Sequence, residues 1–266
     1  MRRALLVLAS LIALGAVACL GSDDPEVRVT VNGGTPAGTP LPPGETPTLV
    51  PFTPTAQASN LDIEDLHGLT MPIEGACLPS GESLMPNAPR EYRNGVHEGV
   101  DFYFGDACVV IERGTQVVAA YDGVVIRAQH DYVPLTLEDV ERLDAETAAQ
   151  GASSAETLDI YRGRQVWIDH GNGVITRYCH LDAIVPEIAE GTRVVAGQVV
   201  GAVGESGTPE SVTAPGLELH LHFEVRIGEG FLGEGGSAED VRAMYGRLFE
   251  PADDASGASG AAGGGG

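Results

Sequence analysis

The sequence predicts a mainly β domain of antiparallel strands, and three observations support this fold class. Short β-branched runs alternate with turn signals such as Asp-Gly and Gly-Asn-Gly, which is typical of strands joined by tight turns. Two helix-capping patterns, at residues 136–139 and 237–240, interrupt and close this β region. Aromatic content is only 5%, and the 266 residues include 36 Gly and 17 Pro, which favours one core with flexible appendages over two full domains.

Six runs are the clearest candidate strands. They span residues 115–120, 123–127, 165–169, 174–179, 198–203 and 219–227. Between the second and third runs, Leu137, Val140 and Leu143 follow the first capping pattern at helical spacing, so we expect a helical insertion near residues 134–161. A short helix with four spaced apolar residues should close the domain: Val241, Met244, Tyr245 and Leu248.

Both ends of the chain are predicted to lie outside this domain. Residues 1–18 have two arginines, a short apolar run and small residues before Cys19, which is the pattern of a signal segment. The small residues resemble a bacterial lipobox, which would make Cys19 a lipid-anchored N-terminus; the alternative is an ordinary secretory signal. Residues 19–60 are rich in Pro, Thr and Gly and predict a tether, whereas residues 252–266 predict a disordered tail. We expect residues 61–251 to fold, outside the cytoplasm, either anchored to the outer face of the membrane or secreted into the envelope.

The charge of the chain excludes several classes of function. The 38 acidic and 15 basic residues give a net charge of −23, which argues against nucleic-acid binding because that requires a basic face. Every basic residue is Arg. Without lysine, the chain cannot form a Schiff base, build a Walker A loop or carry biotin or lipoate.

The histidines carry the strongest chemical signal. His97 and Asp101, in His-Glu-Gly-Val-Asp, would be about 13 Å apart on an extended strand, too far for one metal ion. The backbone must therefore bend between them, and Gly99 is expected to supply the conformational freedom. His220 and His222 alternate along a predicted strand and should lie on one face, about 6 to 7 Å apart. One could ligate a metal while the other handles protons, and the spacing does not decide which.

His180, at the end of the predicted strand 174–179, is a fifth candidate, because a strand end can hold a side chain firmly in a cleft. The alternative for any one of these residues is a surface or hydrogen-bonded histidine. Together, however, neutral imidazoles and a carboxylate fit a catalytic zinc site. The remaining histidines are expected to have no catalytic role: His67, His130 and His170.

Six motifs then occur in one order. They are His-x-Gly-Val-Asp at 97–101, Gly-Thr-x-Val at 114–117 followed by Gly-Val at 123–124, Ile-Asp-His-Gly-Asn-Gly at 168–173, Tyr-x-His-Leu at 178–181, Gly-Gln-x-x-Gly at 197–201 and His-Leu-His-Phe-Glu at 220–224. Over about residues 92–230 this set resembles the LytM and lysostaphin-type zinc endopeptidases of bacterial peptidoglycan. The chain departs from the pattern in an insertion at about 130–163 and in a long stretch at 208–219.

The resemblance implies a lysostaphin-type peptidase fold and a Zn²⁺ cofactor held by His97, Asp101 and His222. It assigns His180 and His220 to proton transfer and transition-state stabilisation during hydrolysis of peptidoglycan stem or cross-bridge peptides. Degenerate relatives of this kind lose ligands, so the alternative is a non-catalytic LytM-like activator or wall-binding lipoprotein. A metal-carrier lipoprotein is a third possibility, but such proteins usually have a His-rich tract, and this sequence has none.

Two further expectations concern the cysteines and the insertion. An extracytoplasmic setting permits a disulfide, and we pair Cys77 with Cys108 because both lie in loop-like stretches flanking the His97 motif. Cys179 lies in a predicted strand and should be a buried free thiol. The insertion carries seven acidic residues before Asp159. It could form a negative wall of the cleft that favours substrates with exposed amines, or it could be a solvated decoration.

Overall fold

The computed structural model of the protein describes residues 61–251. The predicted signal segment, the Cys19 anchor, the tether and the tail therefore lie outside the described residues. Within the described part the fold is mainly β, as predicted, and all strand pairs are antiparallel. None of the helices between residues 61 and 251 has the length and apolar character needed to cross a membrane.

The strands form one large sheet and two small ones. Their bounds are β1 Pro89–Arg90, β2 Gly95–Val96, β3 Val100–Tyr103, β4 Gln116–Val118, β5 Gly123–Ala128, β6 Val166–Asp169, β7 Val174–Cys179, β8 Leu181–Ile184, β9 Arg193–Val194, β10 Val199–Val203, β11 His220–Ile227 and β12 Gly230–Phe231. The large sheet has the order β12-β11-β7-β6-β5-β9, and β3 also pairs with β11. A three-stranded sheet has the order β4-β10-β8, and β1 and β2 form a separate hairpin.

Two of the four helices in the described residues begin at the two predicted capping patterns. Their bounds are α1 Leu137–Gln150, α2 Ala155–Tyr161, α3 Glu210–Thr213 and α4 Ala238–Leu248, with 3₁₀ turns at Glu82–Leu84 and Glu91–Arg93. Thr136 accepts a hydrogen bond from the Asp139 N–H, and the Asp139 carboxylate accepts one from the Thr136 N–H, so the predicted capping box is confirmed. Ser237 caps α4 through the Asp240 N–H.

The predicted helical faces are mostly confirmed, with one error in each helix. Val140 and Leu143 are buried, but Leu137, in the first turn of α1, is 53% exposed. In α4 the residues at positions 241, 245 and 248 are buried, whereas Met244 is 43% exposed. The helical insertion and the closing helix are otherwise where the sequence places them.

The core fixes the register of two strands that matter for the site. Val100 and Phe102 of β3 and Leu221 and Phe223 of β11 are fully buried. Burying each of these side chains contributes about 1.5 to 3 kcal/mol. A slip of one residue would turn every apolar side chain out of the core and every polar one into it, so this pairing is strongly specified.

The predicted cysteine pairing is confirmed. Cys77 and Cys108 form a disulfide with a Cα–Cα distance of 5.5 Å, and Cys179 is a buried free thiol in β7. The crosslink closes a loop over a sequence separation of 31 residues that contains β1, β2 and β3. It therefore limits the freedom of the unfolded chain around these strands.

Replacing both Cys77 and Cys108 with Ser should lower the free energy of unfolding by about 2 to 4 kcal/mol, because the unfolded chain regains the entropy of the open loop. Denaturant unfolding of the two proteins measures the difference. A reducing agent should bring the wild-type protein to the stability of the double variant and leave the variant unchanged. Equal stability of the oxidised wild type and the variant would contradict this account.

Candidate metal centre and cleft

Three potential metal ligands meet where β3 pairs with β11. In this register Asp101 lies directly opposite His222, and Tyr103 lies opposite His220. His97 follows β2 directly, and its backbone N–H donates to the Ala88 carbonyl at 2.8 Å. The three side chains converge: Nε2 of His97 lies 3.0 Å from both Oδ1 of Asp101 and Nδ1 of His222, and the last two atoms are 2.7 Å apart.

Gly99 is needed for space rather than for an unusual backbone conformation, which corrects the sequence-based explanation. Its φ does not lie in the left-handed region. A Cβ at this position would instead overlap the Phe223 carbonyl and lie 3.0 Å from Cε1 of His222. Gly99 therefore permits the close approach that carries the chain from His97 into β3.

The three residues fit a metal ion in chemistry as well as in position. Their donor atoms form the one such group of His, Cys, Asp or Glu side chains found in the described part of the chain. Nδ1 of His97 donates to the Met85 carbonyl at 3.1 Å, and Nε2 of His222 donates to the Glu224 carboxylate at 3.0 Å. With these nitrogens held as donors, the neutral ring of each histidine offers its other nitrogen to a metal, which is the arrangement of zinc-ligating histidines.

Glu224 is a further residue of this group, which the sequence argument named only as part of a motif. It is fully buried and bonded to Nε of Arg162 at 2.6 Å and to Nη1 of Arg177 at 3.3 Å. Burial would raise the pKa of Glu224, but the hydrogen bond with His222 and the positive charge of Arg162 lower it strongly. Its position two residues after His222, on the same face of a strand, was the signal that could have identified it.

Arg90 holds the other side of the centre. Its Nη2 donates to Oδ2 of Asp101 at 3.2 Å, which leaves Oδ1 to face His97 and His222. Burial would raise the pKa of Asp101, but the two histidines outweigh it and hold that pKa well below the usual range. Asp101 is therefore a carboxylate, the form that binds a metal.

His180 and His220 lie beside this group and are oriented alike. Nδ1 of His180 donates to the Ser206 carbonyl at 2.9 Å, and Nδ1 of His220 donates to the Glu218 carbonyl at 2.7 Å. Each Nε2 therefore carries the lone pair. Nε2 of His220 lies 3.7 Å from Oδ1 of Asp101. The ring centroids of His180 and His220 are 4.6 Å apart.

The strand that precedes His180 has the predicted bounds. β7 ends at Cys179, and His180 has a left-handed backbone with φ of 60° before β8 begins. Its N–H donates to the Arg162 carbonyl at 2.9 Å. Such a conformation costs about 1 to 3 kcal/mol in a residue other than glycine and persists where the surrounding structure holds it.

Burial sets the protonation of most of these rings. It lowers the pKa of His97 and His220, and it lowers that of His180 well below the usual value. His222 differs: burial lowers its pKa, but hydrogen bonds with Asp101 and Glu224 outweigh that effect and raise it. His180 and His220 are therefore neutral at neutral pH and able to accept a proton.

The group opens into a cleft of about 670 Å³. The insertion contributes to its wall through Asp144 of α1, through Leu158 and Tyr161 of α2, and through Arg162. Of the two interpretations of the insertion, the structure therefore supports a wall. The long stretch after Thr208 lines the cleft as well, with Pro209, Glu210 and Glu218.

Part of the negative charge of the insertion is neutralised locally. Asp139 and Glu146 pair with Arg142, and Asp159 pairs with Arg127. Asp144, which lines the cleft, accepts a hydrogen bond from the Tyr161 hydroxyl at 3.1 Å. Preference for substrates with exposed amines stays a prediction.

The other three histidines lie outside the cleft lining. His170 is buried, and its two ring nitrogens bond to the Asp122 carbonyl and the Thr176 hydroxyl. His67 and His130 bond to the backbone carbonyls of Asp65 and Ile188. These contacts agree with the non-catalytic interpretation.

Solved structures with similarity to the chain include a zinc-containing peptidase from Vibrio cholerae, 22% identical, with a TM-score of 0.39 over 63% of this chain and 39% of that one. The catalytic domain of lysostaphin from Staphylococcus simulans is 23% identical, with a TM-score of 0.31 over 52% of this chain and 71% of that one.

Relatives are also found among characterised proteins. The peptidoglycan DD-endopeptidase ShyA of Vibrio cholerae is 42% identical over 67 residues, which are 25% of this chain and 14% of that protein. The DD-carboxypeptidase/endopeptidase Mpg of Neisseria meningitidis is 41% identical over 81 residues, 28% of this chain and 16% of that protein. The chain thus spans about a seventh of the length of these relatives.

A sequence model for Peptidase family M23 matches residues 145–233. The match contains His180, His220 and His222. His97 and Asp101 precede it, and Asp101 reaches the site through the pairing of β3 with β11. Over residues 145–233 the chain is therefore similar to peptidase family M23.

Proposed function

We propose that the protein is a zinc-dependent endopeptidase that hydrolyses peptide bonds in bacterial peptidoglycan. The observation that carries the proposal is the convergence of His97, Asp101 and His222 in a cleft that also holds His180 and His220. The M23 match over residues 145–233 supports the peptidase activity. A non-catalytic activator would have no need for all five side chains, so the enzyme explains the site better.

His97, Asp101 and His222 would hold the zinc ion. When bound, zinc supplies a Lewis acid that activates water and polarises the scissile carbonyl. The protein keeps the three ligands in place by hydrogen bonds to the atoms that do not face the centre. These bonds involve the Met85 carbonyl, Glu224 and Arg90.

His180 and His220 would move the protons. Each presents an unprotonated Nε2 because its Nδ1–H is bonded to a backbone carbonyl, so each can accept a proton from water and later return it to the leaving amine. Once protonated, such an imidazole also stabilises a nearby oxyanion. Tyr103 stacks on His220 at 4.3 Å between ring centroids and donates to Glu218, which fixes the ring of His220.

The substrate and the location are part of the same proposal. The names of the relatives, peptidoglycan DD-endopeptidases, support stem or cross-bridge peptides as substrates. The disulfide between Cys77 and Cys108 supports an oxidising compartment outside the cytoplasm. We propose residues 61–251 as the peptidase domain, with a lipid anchor on Cys19 after removal of residues 1–18 and a tether at 19–60.

Replacing any one of His97, Asp101 and His222 with Ala should remove most of the bound zinc, because a site of three protein ligands loses most of its affinity with one donor. His180→Ala and His220→Ala should keep one zinc per chain and lower turnover by about 10² or more. Metal analysis and mass spectrometry of digested muropeptides measure the two effects.

Two results would contradict this assignment of ligands and proton-transfer residues. Equal zinc loss in His180→Ala or His220→Ala would reassign that residue to the ligand set, and full zinc retention in His97→Ala would remove His97 from it. If the wild-type protein with bound zinc leaves every muropeptide uncut, the activator becomes the better account.

Glu224→Gln should weaken zinc binding by about 10- to 100-fold, because His222 loses its charged acceptor and the arginines around Glu224 lose their counter-charge. Competition with a chelator measures the affinity. Glu146→Gln, on the exposed face of α1, is the matched control and should leave zinc affinity unchanged. An unchanged affinity in Glu224→Gln would show that Glu224 serves packing alone.

Replacing residues 134–161 with a short Gly-Ser turn should preserve zinc content and change the preference among muropeptides, because the insertion lines the cleft. Asp144→Asn is a milder variant that keeps both helices and should shift the same preference in a smaller degree. Glu138→Gln, outside the cleft lining, is its control. Identical rates and products for all variants across several muropeptides would show that the insertion does not affect substrate preference.

A further inference from the structure

Arg93 is a cation in the cleft, and no carboxylate between residues 61 and 251 pairs with it. It ends the 3₁₀ turn Glu91–Arg93 between β1 and β2, and its side chain lines the same cleft as His97. Its Nη2 donates to the Val96 carbonyl. Its Nε is buried and has no hydrogen-bond partner among the described residues.

The other arginines of the cleft are already committed. Arg90 bonds to Asp101 and to the Ser83 carbonyl, and Arg162 bonds to Glu98 and Glu224. The negative charge of Glu98 raises the pKa of Arg93, but the Glu98 carboxylate is bonded to Arg162 and Arg226. Of the three arginines that line the cleft in the described residues, Arg93 is therefore the one that can pair with an anionic ligand.

The position of Arg93 is fixed by the insertion. The Ser153 N–H donates to the Arg93 carbonyl at 3.2 Å, and the side chain of the following residue, Asn94, donates to the Gly151 carbonyl at 2.6 Å. Both contacts join the β1–β2 turn to the loop between α1 and α2. The guanidinium is thus presented from a braced turn, and Tyr92, 73% exposed, and Tyr161 also line the cleft.

Arg93 brings to the cleft wall a positive charge that no carboxylate of residues 61–251 pairs, and an anionic ligand would pair it. Burial also lowers the pKa of Arg93, which indicates that the charge is poorly solvated. The flat fork of a guanidinium matches a carboxylate, which can accept two parallel hydrogen bonds. Three acids share the cleft wall, Asp144, Glu210 and Glu218, so a polyanion would be repelled and a peptide with a single carboxylate suits the site better.

We propose that Arg93 is a binding site for a free carboxylate of the peptide substrate. The inference rests on the proposed function, because it takes the stem peptide of peptidoglycan as that substrate. It adds a specificity element: stem peptides with a free carboxylate should be preferred over the same peptides in which that group is a carboxamide.

The test crosses a change in the protein with a change in the ligand. Wild-type protein, Arg93→Gln, Arg93→Lys and the control Arg142→Gln are compared on one muropeptide with free carboxylates and on its carboxamide form. Arg142 lies on the exposed face of α1, where it pairs with Asp139 and Glu146. We expect Arg93→Gln to raise KM by about 10- to 100-fold for the carboxylate form and to leave the carboxamide form unchanged.

Arg93→Lys keeps the positive charge but not the planar guanidinium, so its KM for the carboxylate form should lie between those of the wild type and Arg93→Gln. The KM of Arg142→Gln should match that of the wild type. Zinc content and thermal unfolding should be the same in all variants. Equal losses of Arg93→Gln on both ligands would show a structural role and overturn the proposal. An unchanged KM of Arg93→Gln for both ligands would overturn it as well.

Direct binding separates this inference from the proposed function. Calorimetry of zinc-stripped protein with each muropeptide needs no cleavage, and the wild type should bind the carboxylate form at least about 10-fold more tightly than the carboxamide form. If nothing is cleaved but this preference is present and lost in Arg93→Gln, the endopeptidase proposal fails and the site stands. Equal or absent binding of both forms overturns the site. Displacement by inorganic phosphate as effective as the carboxylate would reassign Arg93 to phosphate groups.

Discussion

The pairing of β3 with β11 is the constraint on which the rest of the site depends. One face of the two strands is buried in the core through Val100, Phe102, Leu221 and Phe223, so their register cannot slip without exposing these side chains. The same register places Asp101 opposite His222 on the other face of the two strands. The ligand geometry is in this sense a consequence of apolar packing on the far side of the sheet.

Burial of a polar face requires compensation, and the site obtains it from arginine. Isolated charges in a buried region cost several kcal/mol each unless they are paired and hydrogen-bonded. Glu224 and Glu98 are surrounded by Arg162, Arg177 and Arg226, and Asp101 is bonded to Arg90. The network fixes the ring of His222 from behind, and Nδ1 of that ring lies 2.7 Å from Oδ1 of Asp101.

The sequence predicted the longer strands, α1, α4 and five side chains that the structure brings to one cleft, because periodicity, capping and motif order are local signals. It did not predict α3 or the short strands β1, β2, β3, β8, β9 and β12. β8 follows β7 with only His180 between them, and no turn residue marks that boundary. The roles of Arg90 and Arg162 depend on contacts across 11 and 62 residues of chain, which periodicity does not report. Gly99 was singled out correctly, but for the wrong physical reason, since its constraint is set by Phe223 on another strand.

The helical insertion braces both sides of the cleft. At its end, the Arg162 carbonyl accepts from the His180 N–H, and the Arg162 side chain bonds to Glu224. In its middle, the loop between α1 and α2 holds the turn that carries Arg93. A segment that supports His180 and the arginine behind His222, and also positions Arg93, cannot change its packing without changing the cleft. The two helices of the insertion thus link the shape of the cleft to the geometry of the group formed by His97, Asp101 and His222.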